Sequence, residues 1–259
     1  MAEGATSPED RRGPAIAPAG SVPPAVAAFD FDGTLAAGGS VLPFLVAVRG
    51  LTPVLVAVGR SLPRLARAAL VGGTAADEAK ELLFTRVLRG LRADDVERVA
   101  AAFAQRHVRR RLRPEVRAHL DWHRDLGHRI VIVSASPECY IGPAAELVGA
   151  DGFLGTRLAV DASGRLTGRY EGKNCRGTEK YNRVMAWIRS DALAGNGARQ
   201  PVLWAYGNSR GDLGLLRAAD HGIDAGRLGR WGRLGQFPRL ADWPRFTSAV
   251  DVDASGPGS

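Results

Sequence analysis

Hydrophobic and polar positions change period several times along the chain, and these changes predict strands that alternate with helices. Short apolar runs that end in a small or polar residue are typical of buried strands; they cover Ala25–Phe31, Arg129–Val133 and Val202–Tyr206. The spacing of amphipathic helices follows in Glu115–Leu126, Glu138–Val148, Thr178–Arg189 and about Gly211–Ala219. The Gly142-Pro143 pair is expected to break the second helix. Recurring strand–turn–helix units predict an α/β fold with a Rossmann-like, doubly wound parallel sheet.

Two segments depart from this alternation. Phe153–Val160 and Arg165–Tyr170 are expected to pair across a turn at 162–164. Residues 36–113 carry helical patterns separated by glycine turns, with little strand signal. We therefore predict a core domain, an inserted helical domain and two disordered tails, with these bounds: core 23–35 and 114–246, insertion 36–113, tails 1–22 and 247–259.

The charge balance is basic. Of the 259 residues, 35 are Lys or Arg and 27 are Asp or Glu, so the net charge is +8. This surplus suits a phosphorylated substrate, an anionic membrane surface or another polyanion. Because arginine, alanine and glycine dominate while lysine is scarce, genome composition is the stronger explanation of the surplus, and we expect no nucleic-acid partner. No apolar stretch reaches the roughly 20 residues that cross a bilayer, and the first two dozen residues lack a signal-peptide pattern.

The cysteines and histidines do not predict a disulfide framework or a zinc site. Cys139 and Cys175 belong to no CxxC pair, which fits a reducing cytosol. We therefore expect a cytoplasmic protein, with peripheral contact to a membrane as an open alternative. His119 and His123 have the i,i+4 spacing of two ligands on one helical face, but no HExxH glutamate accompanies them. An ordinary surface helix is expected there.

Short polar side chains follow each predicted strand of the sheet. In open α/β sheets, ligands bind beyond the carboxyl ends of the strands, and these residues stand at those ends: Asp30, Asp32, Ser134, Asn208 and Asp212. Asp30 is placed to attack phosphorus, and Asp32 to act as general acid and then as general base. Gly33 permits a sharp turn that turns backbone amides toward a phosphate, and Thr34 adds a hydroxyl. The alternative is a capped turn with two solvated aspartates.

Four segments in order resemble the motifs of the haloacid dehalogenase superfamily. They are Asp30-Phe31-Asp32-Gly33-Thr34, Val131-Ile132-Val133-Ser134, Lys180 in Gly177-Thr178-Glu179-Lys180, and Tyr206-Gly207-Asn208-Ser209-Arg210-Gly211-Asp212. The residues around Ser134 and those ahead of Lys180 resemble the sequences of the branch that contains phosphoserine phosphatase, subfamily IB. The resemblance covers about Ala25 to Asp220. It implies a core domain with a helical cap after the first motif, which matches the insertion at 36–113.

The resemblance also implies a role for each motif residue. Asp30 would be nucleophile and magnesium ligand, and Asp32 would be acid/base and bind the metal through its backbone carbonyl. Lys180 would offset negative charge. The remaining contacts to the phosphoryl group are implied for Gly33, Thr34, Ser134 and Ala135, and the remaining metal contacts for Asn208 and Asp212. Mg²⁺ prefers such hard oxygen ligands, and positioning with charge stabilisation supplies most of phosphoryl-transfer catalysis.

Three residues refine this reading. Dehalogenases have no leaving alkoxide to protonate, so Asp32 favours phosphoryl chemistry; P-type ATPases share the motif but need transmembrane helices. Family members usually carry Asp where this chain has Asn208, which can still bind Mg²⁺ through its amide oxygen with one negative charge fewer.

Phosphoserine phosphatases carry a Glu nine residues after the nucleophile, where this chain has Gly39. Phosphoserine is therefore not the expected substrate.

We predict a Mg²⁺-dependent phosphatase that hydrolyses a phosphate monoester of a small metabolite, a sugar or a lipid. The alternatives are a phosphotransferase or phosphomutase, and a regulatory module that binds metal or phosphate. Two further segments have open readings. Arg60, Arg64 and Arg67 lie among leucines, either in a helix-bundle core or on a face that receives a lipid phosphate or contacts a membrane. In Gly226–Gly235 glycine recurs every third residue, and Arg227, Arg230 and Arg233 follow the first three glycines. This segment is either a basic surface loop or a site for an anionic lipid or another polyanion.

Overall fold

A computed structural model describes residues 24–71, 74–190, 200–226 and 234–242 of the chain. Its elements are β1 (Ala25–Phe29), α1 (Val41–Arg49), α2 (Leu51–Val71), α3 (Thr74–Leu88), α4 (Ala93–Arg111), α5 (Pro114–Asp125), β2 (Arg129–Pro137), α6 (Glu138–Val148), β3 (Gly152–Thr156), β4 (Leu158–Val160), β5 (Leu166–Tyr170), α7 (Thr178–Ser190), β6 (Val202–Gly207), α8 (Leu213–Ala218) and β7 (His221–Asp224). Five strands form one sheet in the order β3-β2-β1-β6-β7, and every pairing in it is parallel. The predicted fold class is confirmed.

The sheet is covered on both faces because successive side chains of a strand point to opposite sides. Val26 and Ala28 of β1 join a core with α7 and α8, while Ala27 and Phe29 join a core with α5, α6 and the inserted helices. All five residues of β1 are buried. The strand is therefore apolar on every position, as a central strand of a parallel sheet has to be, and its first polar residue is Asp30.

The helical insertion, residues 36–113, contains α1 to α4 between β1 and α5. It packs on the core through α4 against α6 and through α3 against β5. The rings of Phe44, Phe103 and Tyr140 pack against one another in tilted and edge-on contacts where α1, α4 and α6 meet. This aromatic cluster fixes the start of the insertion directly above the loop that follows β1.

Three predicted elements have different bounds in the structure. Phe153–Val160 is not one strand: β3 pairs in the main sheet and β4 pairs antiparallel with β5, because the Thr156 hydroxyl binds Ala135 O and Asn174 Oδ1 where the chain leaves the sheet. Gly142-Pro143 does not break α6, since burial of that helix outweighs one missing hydrogen bond. The helix predicted from Gly211 begins instead as a 3₁₀ turn, Arg210–Asp212. The predicted pairing of the 165–170 strand is confirmed.

The prediction of an ordinary surface helix is wrong for His123. Its side chain is fully buried under the sheet, where Nδ1 lies 2.7 Å from Nδ1 of His128 and Nε2 lies 2.8 Å from the Tyr206 hydroxyl. Trp122, Trp204 and His221 extend this aromatic layer. Among the described residues, no group of three His, Cys, Asp or Glu side chains is arranged to hold a metal ion.

Some predictions fall on residues outside the described part of the chain. These are both tails and positions 227–233 of the Gly226–Gly235 repeat. None of the helices within the described ranges combines the length and the apolarity that crossing a bilayer requires.

Candidate active site

The turn after β1 is held by backbone hydrogen bonds that leave the side chain of Asp30 at the end of the sheet. Asp30 N–H donates to Tyr206 O at 2.9 Å, and the amides of Leu35 and Ala36 donate to Asp30 O and Phe31 O. Gly33 lies at φ +80°, and a Cβ there would stand 2.0 Å from Asn208 Nδ2. Glycine is required at this position because the left-handed backbone and the close approach of Asn208 both exclude a side chain.

Lys180 joins Asp30 and Asp212 beneath this turn. Its Nζ donates to Asp30 Oδ1 at 2.7 Å and to Asp212 Oδ1 at 2.5 Å, and all three side chains are nearly inaccessible to solvent. The second oxygen of Asp212 accepts bonds from the Ser209 hydroxyl and from the amides of Asn208 and Ser209. Residues from three predicted motifs are thus brought into direct contact.

The two carboxylates differ in proton affinity although they share one cation. Burial, together with the charge of Asp212, raises the pKa of Asp30 to about 7, against the opposing effect of Lys180. Burial also acts to raise the pKa of Asp212, but Lys180 and the donors from Ser209 and Asn208 outweigh it and hold that pKa below its usual value. Burial acts to lower the pKa of Lys180, and the charges of Asp212 and Asp30 reverse this, so its pKa is raised. Lys180 therefore stays a cation, and Asp212 is its firmer partner.

The amide of Asn208 presents an oxygen without a partner to this site. Asn208 Oδ1 is buried and accepts no hydrogen bond from the residues that the structure describes. Buried polar atoms in proteins are nearly always satisfied, so an unsatisfied carbonyl oxygen beside buried carboxylates fits a cation ligand. Carboxylate and amide oxygens are the donor set that Mg²⁺ prefers, and the residues present fit such an ion. The Thr34 hydroxyl is likewise buried without a partner.

Asp32 faces a different set of partners from Asp30. Its Oδ1 accepts the amide of Ser40 at 2.6 Å and its Oδ2 accepts the hydroxyl of Ser136 at 2.5 Å. The Ser40 hydroxyl lies 2.8 Å from the hydroxyl of Tyr140 and 3.3 Å from that of Ser136. Because Ser40 immediately precedes α1, the orientation of the Asp32 carboxylate is tied to the start of the helical insertion.

Ser134 and Ala135 lie on the neighbouring strand, β2, and one peptide group links them to the insertion. The Ser136 amide donates to Ser134 Oγ at 3.1 Å. The carbonyl of the same peptide, Ala135 O, accepts from Lys80 Nζ at 2.7 Å and from the Thr156 hydroxyl at 2.8 Å. The peptide is thereby fixed at both ends, and the Ser134 hydroxyl keeps its proton free for another acceptor.

Four residues of this arrangement were missed in the sequence: Ser40, Lys80, Arg113 and Ser136. Arg113 is buried and its Nη1 donates to the carbonyls of Gly33, Thr34 and Ala225, which anchors the turn from below. Only Ser136 had a usable signal, since it follows Ser134 by two residues on one strand and so points to the same side. Gly39, where a phosphoserine phosphatase would carry a glutamate, is exposed and faces open space. This position therefore supplies no carboxylate to the site.

Comparison with known proteins was consistent with this geometry. A family model described as haloacid dehalogenase-like hydrolase matches residues 27–217. Protein CicA of Caulobacter vibrioides is 34% identical over 208 residues, covering 76% of this chain and 84% of CicA. A protein of unknown function from Bordetella pertussis Tohama I has a TM-score of 0.67 at 21% identity, with 87% and 100% of the two chains covered.

A phosphoserine phosphatase solved as a phospho-aspartyl intermediate analogue has a TM-score of 0.53 at 18% identity, covering 78% of this chain and 87% of that one. At this identity the similarity concerns the fold. Since the family model spans most of the chain, and the motifs from Asp30 to Asp212 fall within it, this protein belongs to the haloacid dehalogenase-like hydrolases.

Proposed function

We propose that the protein is a Mg²⁺-dependent phosphatase that hydrolyses a phosphate monoester through an aspartyl phosphate on Asp30. The observation that carries the proposal is the buried contact of Lys180 with both Asp30 and Asp212. A carboxylate that attacks a phosphoryl group meets electrostatic repulsion, and a fixed cation at 2.7 Å offsets it. A turn with two solvated aspartates would not need this arrangement.

The first step forms a bond between an Asp30 oxygen and phosphorus while the bond from phosphorus to the leaving oxygen breaks. Asp32, in its protonated form, gives its proton to the leaving oxygen. In the second step Asp32 takes a proton from water, which attacks phosphorus, releases inorganic phosphate and regenerates Asp30. The bonds from Ser40 and Ser136 hold Asp32 in one orientation, and this preorganisation supports its acid/base role.

The remaining residues position the phosphoryl group and the metal. The hydroxyls of Thr34 and Ser134, the Gly33 turn and the Ala135 segment would bind phosphoryl oxygens. Asp30, the carbonyl of Asp32 and the unpaired oxygen of Asn208 would hold Mg²⁺, with Asp212 binding it directly or through a water. When bound, Mg²⁺ supplies positive charge that stabilises the phosphoryl group during transfer. One charge fewer at Asn208 predicts weaker metal binding than an aspartate would give.

We further propose that the helical insertion, residues 36–113, acts as a cap over a core of residues 23–35 and 114–246. Ser40 and Lys80 support this, because both reach from the insertion to residues of the site. The empty position at Gly39 supports a substrate other than phosphoserine. A cap that contacts the acid/base residue would keep bulk water out while the phosphoryl group moves to Asp30, and would open again to admit the attacking water.

The direct test is phosphate release from an aryl phosphate with and without Mg²⁺, for the native chain and for Asp30→Asn. Asp94→Asn, at an exposed position, is the control for loss of one carboxylate. We expect release that needs Mg²⁺, survives Asp94→Asn and is lost in Asp30→Asn. Full activity of Asp30→Asn would sink the mechanism. Transfer to an added alcohol in place of phosphate release would favour the phosphotransferase, and binding of Mg²⁺ without turnover the regulatory module.

A further inference from the structure

The helical insertion exposes an apolar surface that the core does not use. All but three of the exposed large hydrophobic side chains in the described part of the chain lie on α1 and α2. The set on these helices is Leu42, Leu51, Leu55, Val56, Leu62, Leu70 and Val71; the others are Leu147, Phe153 and Val160. Single exposed apolar residues need no explanation, but a concentration on two adjoining helices marks an interaction surface.

The pattern along α2 shows that this surface is separate from the packed face. Val54, Ala57 and Ser61 are buried and follow the i, i+3, i+7 spacing of one face. Leu51, Leu55 and Leu62 follow i, i+4, i+11, and they are 59%, 58% and 58% exposed. These leucines line a second face of α2, rotated by roughly 100° about the helix axis from the buried face.

A third stripe of α2 is basic. Arg60, Arg64 and Arg67 are exposed and share a face through their i, i+4, i+7 spacing. No aspartate or glutamate occurs between Asp32 and Asp77, so no carboxylate of the local sequence neutralises them. Arg49 adds a fourth positive charge at the end of α1. The whole surface therefore combines leucines with arginines and contains no acid.

We propose that α1 and α2 form a docking surface for an anionic lipid bilayer, with α2 lying along the plane of the membrane. At roughly 100° per residue the arginines lie nearly opposite the leucines on α2. A helix with leucines on one face and arginines on its polar face is the pattern of interfacial helices: the leucines enter the acyl boundary and the positive charge attracts the anionic lipids. The bilayer is favoured over a second copy of the chain because α1 and α2 carry four arginines and no acid, so two copies would bring like charges near each other. The helix lies on the membrane and does not cross it, in keeping with its limited apolarity.

The docking surface adjoins the candidate active site along the chain. Ser40, whose amide holds Asp32, directly precedes α1, and α1 packs against α2. Docking would bring the entrance of the site to the membrane surface. The proposal does not depend on phosphatase activity, since lipid binding is measured without substrate.

The test is co-sedimentation of the full chain with vesicles of phosphatidylcholine alone, or of phosphatidylcholine with about one third phosphatidylglycerol. Two variants remove the surface: Leu55→Glu with Leu62→Glu, and Arg60→Gln with Arg64→Gln and Arg67→Gln. Matched controls are Leu147→Glu on α6, and the triple Arg109→Gln, Arg110→Gln, Arg111→Gln at the exposed end of α4. All changed positions are exposed, so thermal melting should confirm that each variant folds.

We expect binding to the anionic vesicles that exceeds binding to neutral ones by tenfold or more, since each basic residue near an anionic surface contributes about 1 kcal/mol. Both surface variants should lose at least about tenfold, and both controls should keep most of the binding. Absence of binding to anionic vesicles would overturn the proposal, as would equal loss in the control triple. A dimer in sedimentation velocity that Leu55→Glu with Leu62→Glu dissociates would also overturn it, by identifying a second copy as the occupant.

Discussion

Two buried oxygens of the candidate site, Thr34 Oγ1 and Asn208 Oδ1, have no hydrogen-bond partner within the described part of the chain. Each such group costs stability, on the order of 1–3 kcal/mol. A fold does not gain from keeping them, so their partners are best sought in what the site binds. At the residue scale, these two unpaired oxygens distinguish a ligand-binding site from a turn that only packs, because they lower stability unless a ligand binds them.

Thr34→Val removes one of these oxygens with little change in shape. We expect unfolding stability to stay level or rise by up to about 1 kcal/mol, because an unsatisfied group is lost. We expect kcat/KM to fall about tenfold to a hundredfold, because one donor to the transferring phosphoryl group is lost. Urea unfolding and steady-state kinetics on an aryl phosphate measure the two effects.

Thr85→Val is the matched control. The Thr85 hydroxyl donates to Glu81 O and Gly168 O, away from the site, so its loss should cost about 1 kcal/mol of stability and leave activity unchanged. A Thr34→Val variant that is destabilised as much as Thr85→Val, with full activity, would contradict the assigned role of Thr34.

His123 gives a prediction of pH dependence. Burial lowers its pKa well below 6.5, with smaller contributions from His128, His119 and His221. The unfolded chain then binds a proton on this residue at a higher pH than the folded chain does. The stability that the neutral His123 contributes is therefore fully present above pH 6.5. It is lost as the pH falls below that value, by up to about 1.4 kcal/mol per pH unit. Unfolding at pH 7, 6 and 5 measures this slope.

His123→Phe keeps an aromatic ring and removes the titrating group, so we expect lower stability at pH 7 but a flatter loss toward pH 5. His128, whose pKa burial also lowers, and His119, whose pKa burial lowers to about 4, would keep part of the slope. An unchanged slope in His123→Phe would show that the acid sensitivity arises elsewhere.

At the scale of elements, α3 is held by buried apolar residues and by several polar contacts, and Lys80 makes the contact nearest the candidate site. Lys80 on α3 donates to Ala135 O and to Asn174 Oδ1, and Asn174 donates in turn to Asp77 of the same helix. The peptide that Lys80 holds is the one whose amide donates to Ser134. Lys80 is therefore expected to act as a positioning residue for the Ser134 hydroxyl.

Lys80→Met should lower kcat about tenfold with KM within about a factor of two, because the transferring group is misplaced while substrate still binds. Lys80→Arg should restore part of kcat. Burial lowers the pKa of Lys80 to about 8, against Asp77 and Asp32, which raise it; kcat of the native chain should thus decline above about pH 8, and that of Lys80→Arg should not. A large rise in KM with kcat unchanged would instead mark a direct substrate contact.

Gly168 tests how closely the β4–β5 hairpin packs on α3. It lies at φ +77°, and a Cβ there would stand 2.3 Å from Thr85 Cα. Gly168→Ala should cost on the order of 2–3 kcal/mol, from backbone strain and from the clash. Gly164→Ala is the control, since its φ is +76° but its surroundings are open; only about 1 kcal/mol is expected. Equal losses in a urea unfolding series would show that the contact does not matter.

The sequence predicted elements well where the information is local. The apolar run of β1, the helical spacing in α7 and the polar residues at the strand ends gave the sheet and the candidate site residues. Contacts between distant segments were not predictable: Lys80 meets Ala135 across 55 residues and Arg113 meets Gly33 across 80. Nothing in the spacing of a lone lysine or arginine indicates which carbonyl it will bind. The prediction of a single strand at 153–160 was wrong for the same reason. The chain leaves the sheet where the Thr156 hydroxyl contacts Ala135 and Asn174, which are distant in the sequence.

At the scale of the whole molecule, the two halves of the site come from different parts of the fold. The core supplies Asp30, Lys180 and Asp212 at the carboxyl edge of the sheet, while the helical insertion supplies Ser40 and Lys80. The insertion also carries the docking surface on α1 and α2. The proposed account therefore assigns the chemical step to the core and access to the substrate to the insertion.

The most direct measurement of the central claim is reductive trapping of the covalent intermediate. The native chain is mixed with Mg²⁺ and an aryl phosphate, quenched with borohydride, and digested for mass spectrometry. An aspartyl phosphate is reduced to homoserine, so the account predicts homoserine at position 30, and none when substrate or Mg²⁺ is omitted. Steady phosphate release with aspartate unmodified at position 30, or with homoserine at Asp32 instead, would contradict it.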